Sequence, residues 1–166
     1  KRPELAGINT PDDLLKLPPD QLHKLRFGIF TQTPAVDWLL GHNLIDQAVS
    51  YQVQSGDPQE YPGQMIEKDL QAGNVDVVFL WGPIAGYFAK RSGDSVKLVP
   101  FPATPGIRFD YTISMGVRYG EKAWKDKVDQ WIGANHDKID SILTSYEVPL
   151  LKPVDAPSGK PADASP

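Results

Sequence analysis

The chain contains no cysteine. That removes disulfides, thiolate metal sites and thiol catalysis at once, and it is compatible with an exported bacterial protein. It carries only three histidines, His23, His42 and His136, and no two of them stand at metal-ligand spacing. It lacks an excess of positive charge: the formal net charge is -4, which disfavours a nucleic-acid binder, since such proteins usually show a basic face. No apolar run approaches the roughly 20 residues of a membrane-spanning helix, so no membrane span is expected. No Gly-x-Ser-x-Gly elbow, Walker loop or Gly-x-Gly-x-x-Gly turn occurs. No carboxylate pair is placed for glycoside chemistry. Nothing in the residues asks for catalysis or for a bound cofactor. The opening Lys1-Arg2-Pro3-Glu4 does not read as a signal peptide. It is expected to be a processed or cut end.

What is present is proline and glycine, 16 and 14 in 166 residues, set between short apolar runs. That length suits one domain burying roughly 70% of its unfolded surface. Thr10 can cap a short helix with Pro11 at its first position and Asp12 and Asp13 in its first turn. Leu25 to Phe30 reads as a strand. Thr33-Pro34 starts a helix with Val36, Leu39 and Leu40 as its apolar face and Gly41 closing it. Val49 to Gln54 alternates and reads as a second strand. A helix near 63–72 turns Met65, Ile66 and Leu70 inward. Val75 to Leu80 is a third strand, a helix runs from Ile84 to Arg91, and Val96 to Val99 is a fourth short strand. This β-α-β-α-β-α-β order, with right-handed crossovers, predicts an α/β fold: a parallel sheet with helices on both faces.

After a Pro/Gly-rich connector, Tyr111 to Arg118 alternates and reads as a fifth strand. Two helices follow, one burying Trp124, Val128, Trp131 and Ile132, the next Ile139, Ile142, Leu143 and Tyr146. Residues 152–166 have a composition expected to be disordered.

Open α/β sheets place ligands outside the carboxyl ends of their strands. That rule singles out Thr31, Gln32 and Thr33 after the first strand, and Trp81, Gly82 and Pro83 after the third. Thr33 has two readings: an anion site at a helix N-terminus, or a plain N-cap. Trp81 also has two: a ring that stacks on a ligand or partner, or a tryptophan packed at the core edge.

The stretch Trp81-Gly-Pro-Ile-Ala-Gly-Tyr-Phe-Ala-Lys-Arg91, with Ile113-Ser-Met-Gly-Val-Arg118 and the closing Ile139-Asp-Ser-Ile-Leu-Thr-Ser-Tyr146-Glu-Val148-Pro149, resembles a specific group. These are the periplasmic binding-protein-like accessory proteins encoded with PQQ-dependent methanol dehydrogenases (the MxaJ/XoxJ type). The resemblance runs from about Ile8 to Leu151, and its specific part is Trp81 to Arg91. It implies a type-2 periplasmic binding-protein-like lobe with a parallel-dominated sheet, plus a returning strand and C-terminal helices of the other lobe. On this frame 1–24 is a hinge-proximal segment, 25–108 the second lobe, and 109–151 the part of the first lobe to which the chain returns. It further implies periplasmic localisation, no enzymatic activity or cofactor of the chain's own, and a quinoprotein alcohol dehydrogenase as partner.

Two departures shape the expectation. The first-lobe segment on which 109–151 would pack is missing, so an N-terminal fragment on a second chain is expected to cover Trp124, Trp131, Ile142 and Tyr146. A rearranged domain or a domain-swapped dimer is the rival. Second, Trp81 stands where amino-acid-binding members of the superfamily place an Asp. This disfavours an amino-acid ligand, although a solute receptor of an ABC transporter stays as the alternative function.

Overall fold

The computed structural model describes residues 2–52, 59, 61, 63–102 and 104–151. It is an α/β arrangement: a small open sheet of three parallel strands in the order β2-β1-β3, flanked by helices. β1 (Phe27–Phe30) is central and all four of its residues are buried. A strand covered on both faces needs such an unbroken apolar run. β2 (Ala48–Tyr51) pairs with β1 from Phe27↔Ala48 to Phe30↔Tyr51. β3 (Val77–Val78) pairs through Phe27↔Val77 and Gly28↔Val78. The ladder is extended by backbone hydrogen bonds from Phe79 N to Gly28 O (2.9 Å) and from Asp76 N to Arg26 O (2.9 Å).

Helix α1 (Pro11–Leu15) starts as expected, with a complete capping box. The Thr10 hydroxyl accepts from Asp13 N at 3.1 Å, and the Asp13 carboxylate accepts from Thr10 N at 3.0 Å. A single turn, α2 (Pro19–Leu22), leads into β1. Helix α3 (Pro34–Gly41) packs Ala35, Trp38 and Leu39 into the core with Leu14, Leu25, Phe27, Ile29 and Leu44. Trp38 is the centre of an aromatic group, with Phe79 at 5.6 Å and Phe101 edge-on at 5.3 Å between ring centroids. Leu40, expected on the buried face, is 52% exposed. At 100° per residue positions 35, 38 and 39 share a face, and the large indole takes the inward place.

Between β2 and β3 the chain winds a helix across 64–72 whose middle, Met65–Leu70, is π-helical. The side chains of Met65 and Ile66, and the end of the second expected strand at Val53 and Gln54, lie outside the described residues, as does the tail 152–166. Helix α4 (Gly82–Ser92) follows β3, with Lys90 and Arg91 in its last turn, where cations complement the helix dipole.

The remaining chain departs from expectation. Val96 to Val99 joins no strand ladder, and Tyr111 to Arg118 is not a strand. Tyr111, Ile113 and Met115 are 53%, 72% and 64% exposed. An alternating run becomes a strand only beside an edge that takes its backbone hydrogen bonds. Among the described residues no strand pairs with it. Helices α5 (Lys122–Ala134) and α6 (His136–Ser145) form where expected. Of their apolar face only Val128 is buried. Trp124, Trp131, Ile142 and Tyr146 are about half exposed, and Ile132, Ile139 and Leu143 lie between. The buried stripe expected on each helix is therefore largely a surface.

Candidate functional site

The carboxyl ends of β1 and β3 open into a groove of about 1740 Å³. One wall is built by the turns that start α3 and α4. The rest of the lining comes from residues between Arg2 and Leu14, between Leu70 and Leu80 along β3, from Asp94 to Phe101, from Arg108 to Ile113, and from the chain after α6, Val148 to Leu151. Gln32, Thr33, Trp81, Gly82 and Pro83 all line it. Thr31 is exposed and does not.

The first turn is built on a left-handed residue. Gln32 has φ 62, a region that costs a residue with a Cβ roughly 1 kcal/mol. Thr33 then takes an extended conformation, and its hydroxyl donates to Phe30 O at 2.7 Å. The hydroxyl closes the turn and makes no capping bond to α3. Thr33 is thus an N-cap by backbone only. Asp37, in the first turn of α3, already supplies the negative charge that the helix dipole favours there. The anion-site reading of Thr33 loses its electrostatic basis.

Trp81 is the N-cap residue of α4 by backbone, accepting from Ile84 N (3.0 Å) and Ala85 N (2.9 Å) through its carbonyl. Pro83 fits the first turn, where its missing N–H is no loss. The indole is 53% exposed on the rim of the groove. The reading in which it packs at the core edge does not hold. Gly82 has its own steric reason: a Cβ there would sit 2.8 Å from Pro149 Cγ.

Arg2, Asp76, Lys97 and Arg108, four of the charged groups lining the groove, are engaged in structure. Asp76, with a side chain only 4% exposed, receives Arg2 Nε at 2.8 Å, Arg26 N at 2.9 Å and Arg26 Nε at 3.3 Å. Burial pushes its pKa up, but the hydrogen bonds from Arg2 and Arg26 and the charge of Arg2 outweigh that. The net shift is downward from the ordinary carboxylate value. This clamp ties the N-terminal segment to the start of β1 and β3, at the sheet end opposite the two turns. Lys97 is held by Asn9 at 2.6 Å, and Arg108 lies over the Tyr111 ring at 5.5 Å. Beside the sheet, the Tyr51 hydroxyl donates to Asp69 at 2.7 Å. Burial first, then this bond and the Asp69 charge, push the Tyr51 pKa up.

Among the described residues no group of three or more His, Cys, Asp or Glu side chains is placed to hold a metal ion. The histidines sit at the surface, His42 Nδ1 donating to Trp38 O (2.7 Å) and His23 Nδ1 accepting from Gln47 Nε2 (2.8 Å). Likewise no helix among the described residues is long and apolar enough to cross a membrane. What the groove offers chemically is a largely apolar and aromatic surface with an exposed indole at its lip.

Three features were absent from the sequence reading. Trp38 carries the core because a lone aromatic beside Val36, Leu39 and Leu40 has no distinguishing local signal. The Asp76 clamp joins residues 50 and 74 positions apart, which no spacing rule reaches. The third is Gly86, where a Cβ would lie 2.3 Å from Glu147 O. The spacing Gly82-x-x-x-Gly86 could have marked it as a close approach. In comparisons with protein-family models, with curated proteins and with solved structures, nothing matches this chain.

Proposed function

We propose that this chain is a non-catalytic binding module. Its role is that of a periplasmic accessory of a PQQ-dependent methanol or alcohol dehydrogenase, supporting maturation or activation through protein contacts. The observation that carries the reading is Trp81. A half-exposed indole on the lip of a wide apolar groove is the kind of residue that anchors protein interfaces. The likeness of Trp81 to Arg91 to the dehydrogenase accessory proteins supplies the partner. On the same reading 25–108 corresponds to a lobe of a type-2 binding protein. Trp124, Trp131, Ile142 and Tyr146 then take the N-terminal lobe segment, on a second chain, as their cover.

The test is binding of the purified chain to a PQQ-dependent alcohol dehydrogenase by biolayer interferometry, with Trp81→Ala beside the parent. The expected result is a loss of about tenfold or more in affinity, with unfolding in urea within about 1 kcal/mol of the parent. Equal affinity of the two proteins removes Trp81 from the contact, and no binding by the parent at micromolar concentration removes the partner. A small solute that raises stability by about 3 kcal/mol at a hundredfold excess over its dissociation constant would establish the alternative, a transporter's solute receptor. Native mass spectrometry checks the cover. A second polypeptide released on denaturation supports it, and a lone 18.3 kDa monomer sinks it.

A further inference from the structure

The segment that leaves α6 is seated on α4 by four contacts. Lys90 Nζ donates to Ser145 O. The Tyr87 and Tyr146 rings lie 6.0 Å apart. Gly86 faces the carbonyl of Glu147, and Gly82 faces the ring of Pro149. At both glycines any larger residue would meet the segment: an added Cβ would stand 2.3 Å from Glu147 O at Gly86 and 2.8 Å from Pro149 Cγ at Gly82.

The turn that aims the chain there is complete. Glu147 N donates to Thr144 O at 2.9 Å and Val148 N to Leu143 O at 3.1 Å, the two bonds of a Schellman motif. Its left-handed position is held by Glu147 at φ 58, where glycine is the favoured residue. Pro149 then keeps Val148 extended. The four residues Val148 to Leu151 run on as one wall of the groove that Trp81 overlooks, with Leu143 behind them. One six-residue stretch thus makes a strained turn and a groove wall, and it rests on a glycine-lined seat on α4.

We propose that Tyr146 to Leu151 is a strap that closes over the groove beside Trp81, with Gly86 as the notch that lets it seat. Seated, it narrows the groove and ties α5–α6 to α4. Displaced, it uncovers the Gly82, Ala85, Gly86 and Ala89 face of α4 and widens access to Trp81. The device stands on these contacts alone, whichever partner the groove takes.

The chain's lack of cysteine makes the test clean. In the full chain, Gly82→Cys with Pro149→Cys places two thiols within disulfide reach when the strap is seated. With oxidised glutathione as the oxidant, which is reduced to two glutathione thiols as the two cysteines join, the expected result is rapid intramolecular bond formation, slowed about tenfold when Gly86→Val is added, because the local concentration of one thiol about the other falls. Lys90→Met should slow it less. Far-UV circular dichroism reports whether each variant is folded. If Gly86→Val does not fold, Gly86→Ala and Lys90→Met carry the same comparison. No bond in the pair, or unchanged rates in folded seat variants, overturns the strap. Gating is read with the dye bis-ANS: the oxidised pair should bind about twofold less than the reduced pair. Equal binding overturns it.

Discussion

β1 and the segment Tyr111 to Val117 are both short, apolar stretches of extended composition, and they have opposite surroundings. β1 has β2 on one side, β3 on the other, α3 over one face and every residue buried. The later segment has no strand beside it and leaves Tyr111, Ile113 and Met115 largely in solvent. The same contrast separates α3 from α5. Both carry tryptophan on an apolar face, yet Trp38 is 3% exposed and Trp131 is 57% exposed. The lesson is that an apolar pattern states a requirement for burial, and a second element must meet it. In the first half the strands and helices meet it for one another. In the second half the requirement is left standing, and the apolar faces of α5 and α6 stay about half exposed.

Substitutions on the two sides of the contrast should differ in size. The largest effect is expected at Phe27→Ala, which empties the centre of the sheet and should cost about 3–5 kcal/mol in urea unfolding. A loss below about 1 kcal/mol would mean that β1 is not the core strand.

Next comes Asp76→Asn, expected to cost about 2–3 kcal/mol by weakening charge-assisted bonds to Arg2 and Arg26. Its pH dependence has a definite sign. The folded pKa lies below the ordinary 3.8, so the carboxylate's contribution is full above that value and is lost as pH falls through the depressed one. The parent should therefore lose stability more steeply than Asp76→Asn as pH falls through and below 3.8. Parallel acid profiles of the two proteins would show that the clamp contributes nothing.

A smaller change of opposite sign is expected at the turn before the strap. Glu147→Gly should stabilise by about 1 kcal/mol, since glycine takes φ 58 without a Cβ penalty. A destabilisation there would mean that the glutamate side chain makes a contact worth more than the strain.

The smallest effect is expected on the unburied side. Trp131→Ala should change the stability of the chain alone by less than about 0.5 kcal/mol, as ordinary surface substitutions do. A loss of several kcal/mol would show that the helix face is covered in solution, and the contrast between the two halves would then be one of partners rather than of packing.

Much of the first half was legible locally. The continuous apolar run before Phe30, the Thr10-Pro11 and Thr33-Pro34 starts, and the Trp81-Gly82-Pro83 corner are short-range signals. They name β1, α1, α3 and α4 with their direction. The strand-end rule also brought Gln32, Thr33, Trp81, Gly82 and Pro83 to one groove, leaving out Thr31, whose side chain falls outside the lining. The alternation at Tyr111 to Arg118 was equally clear as a pattern and misleading as a strand, because a ladder needs a partner and a pattern does not contain one.

By itself, then, the sequence determined where helices begin, which runs resist water, and that no thiol chemistry is open to this protein. Backbone sterics, capping and side-chain polarity act over a few residues and are written there. Only the tertiary structure decided that Trp38 is inside while Trp81 and Trp131 are outside. It also decided that Asp76 is held between Arg2 and Arg26, and that Gly86 makes room for Glu147. Each of these depends on which distant segment arrives to exclude water or to fill a space, and that is settled by packing across the whole chain.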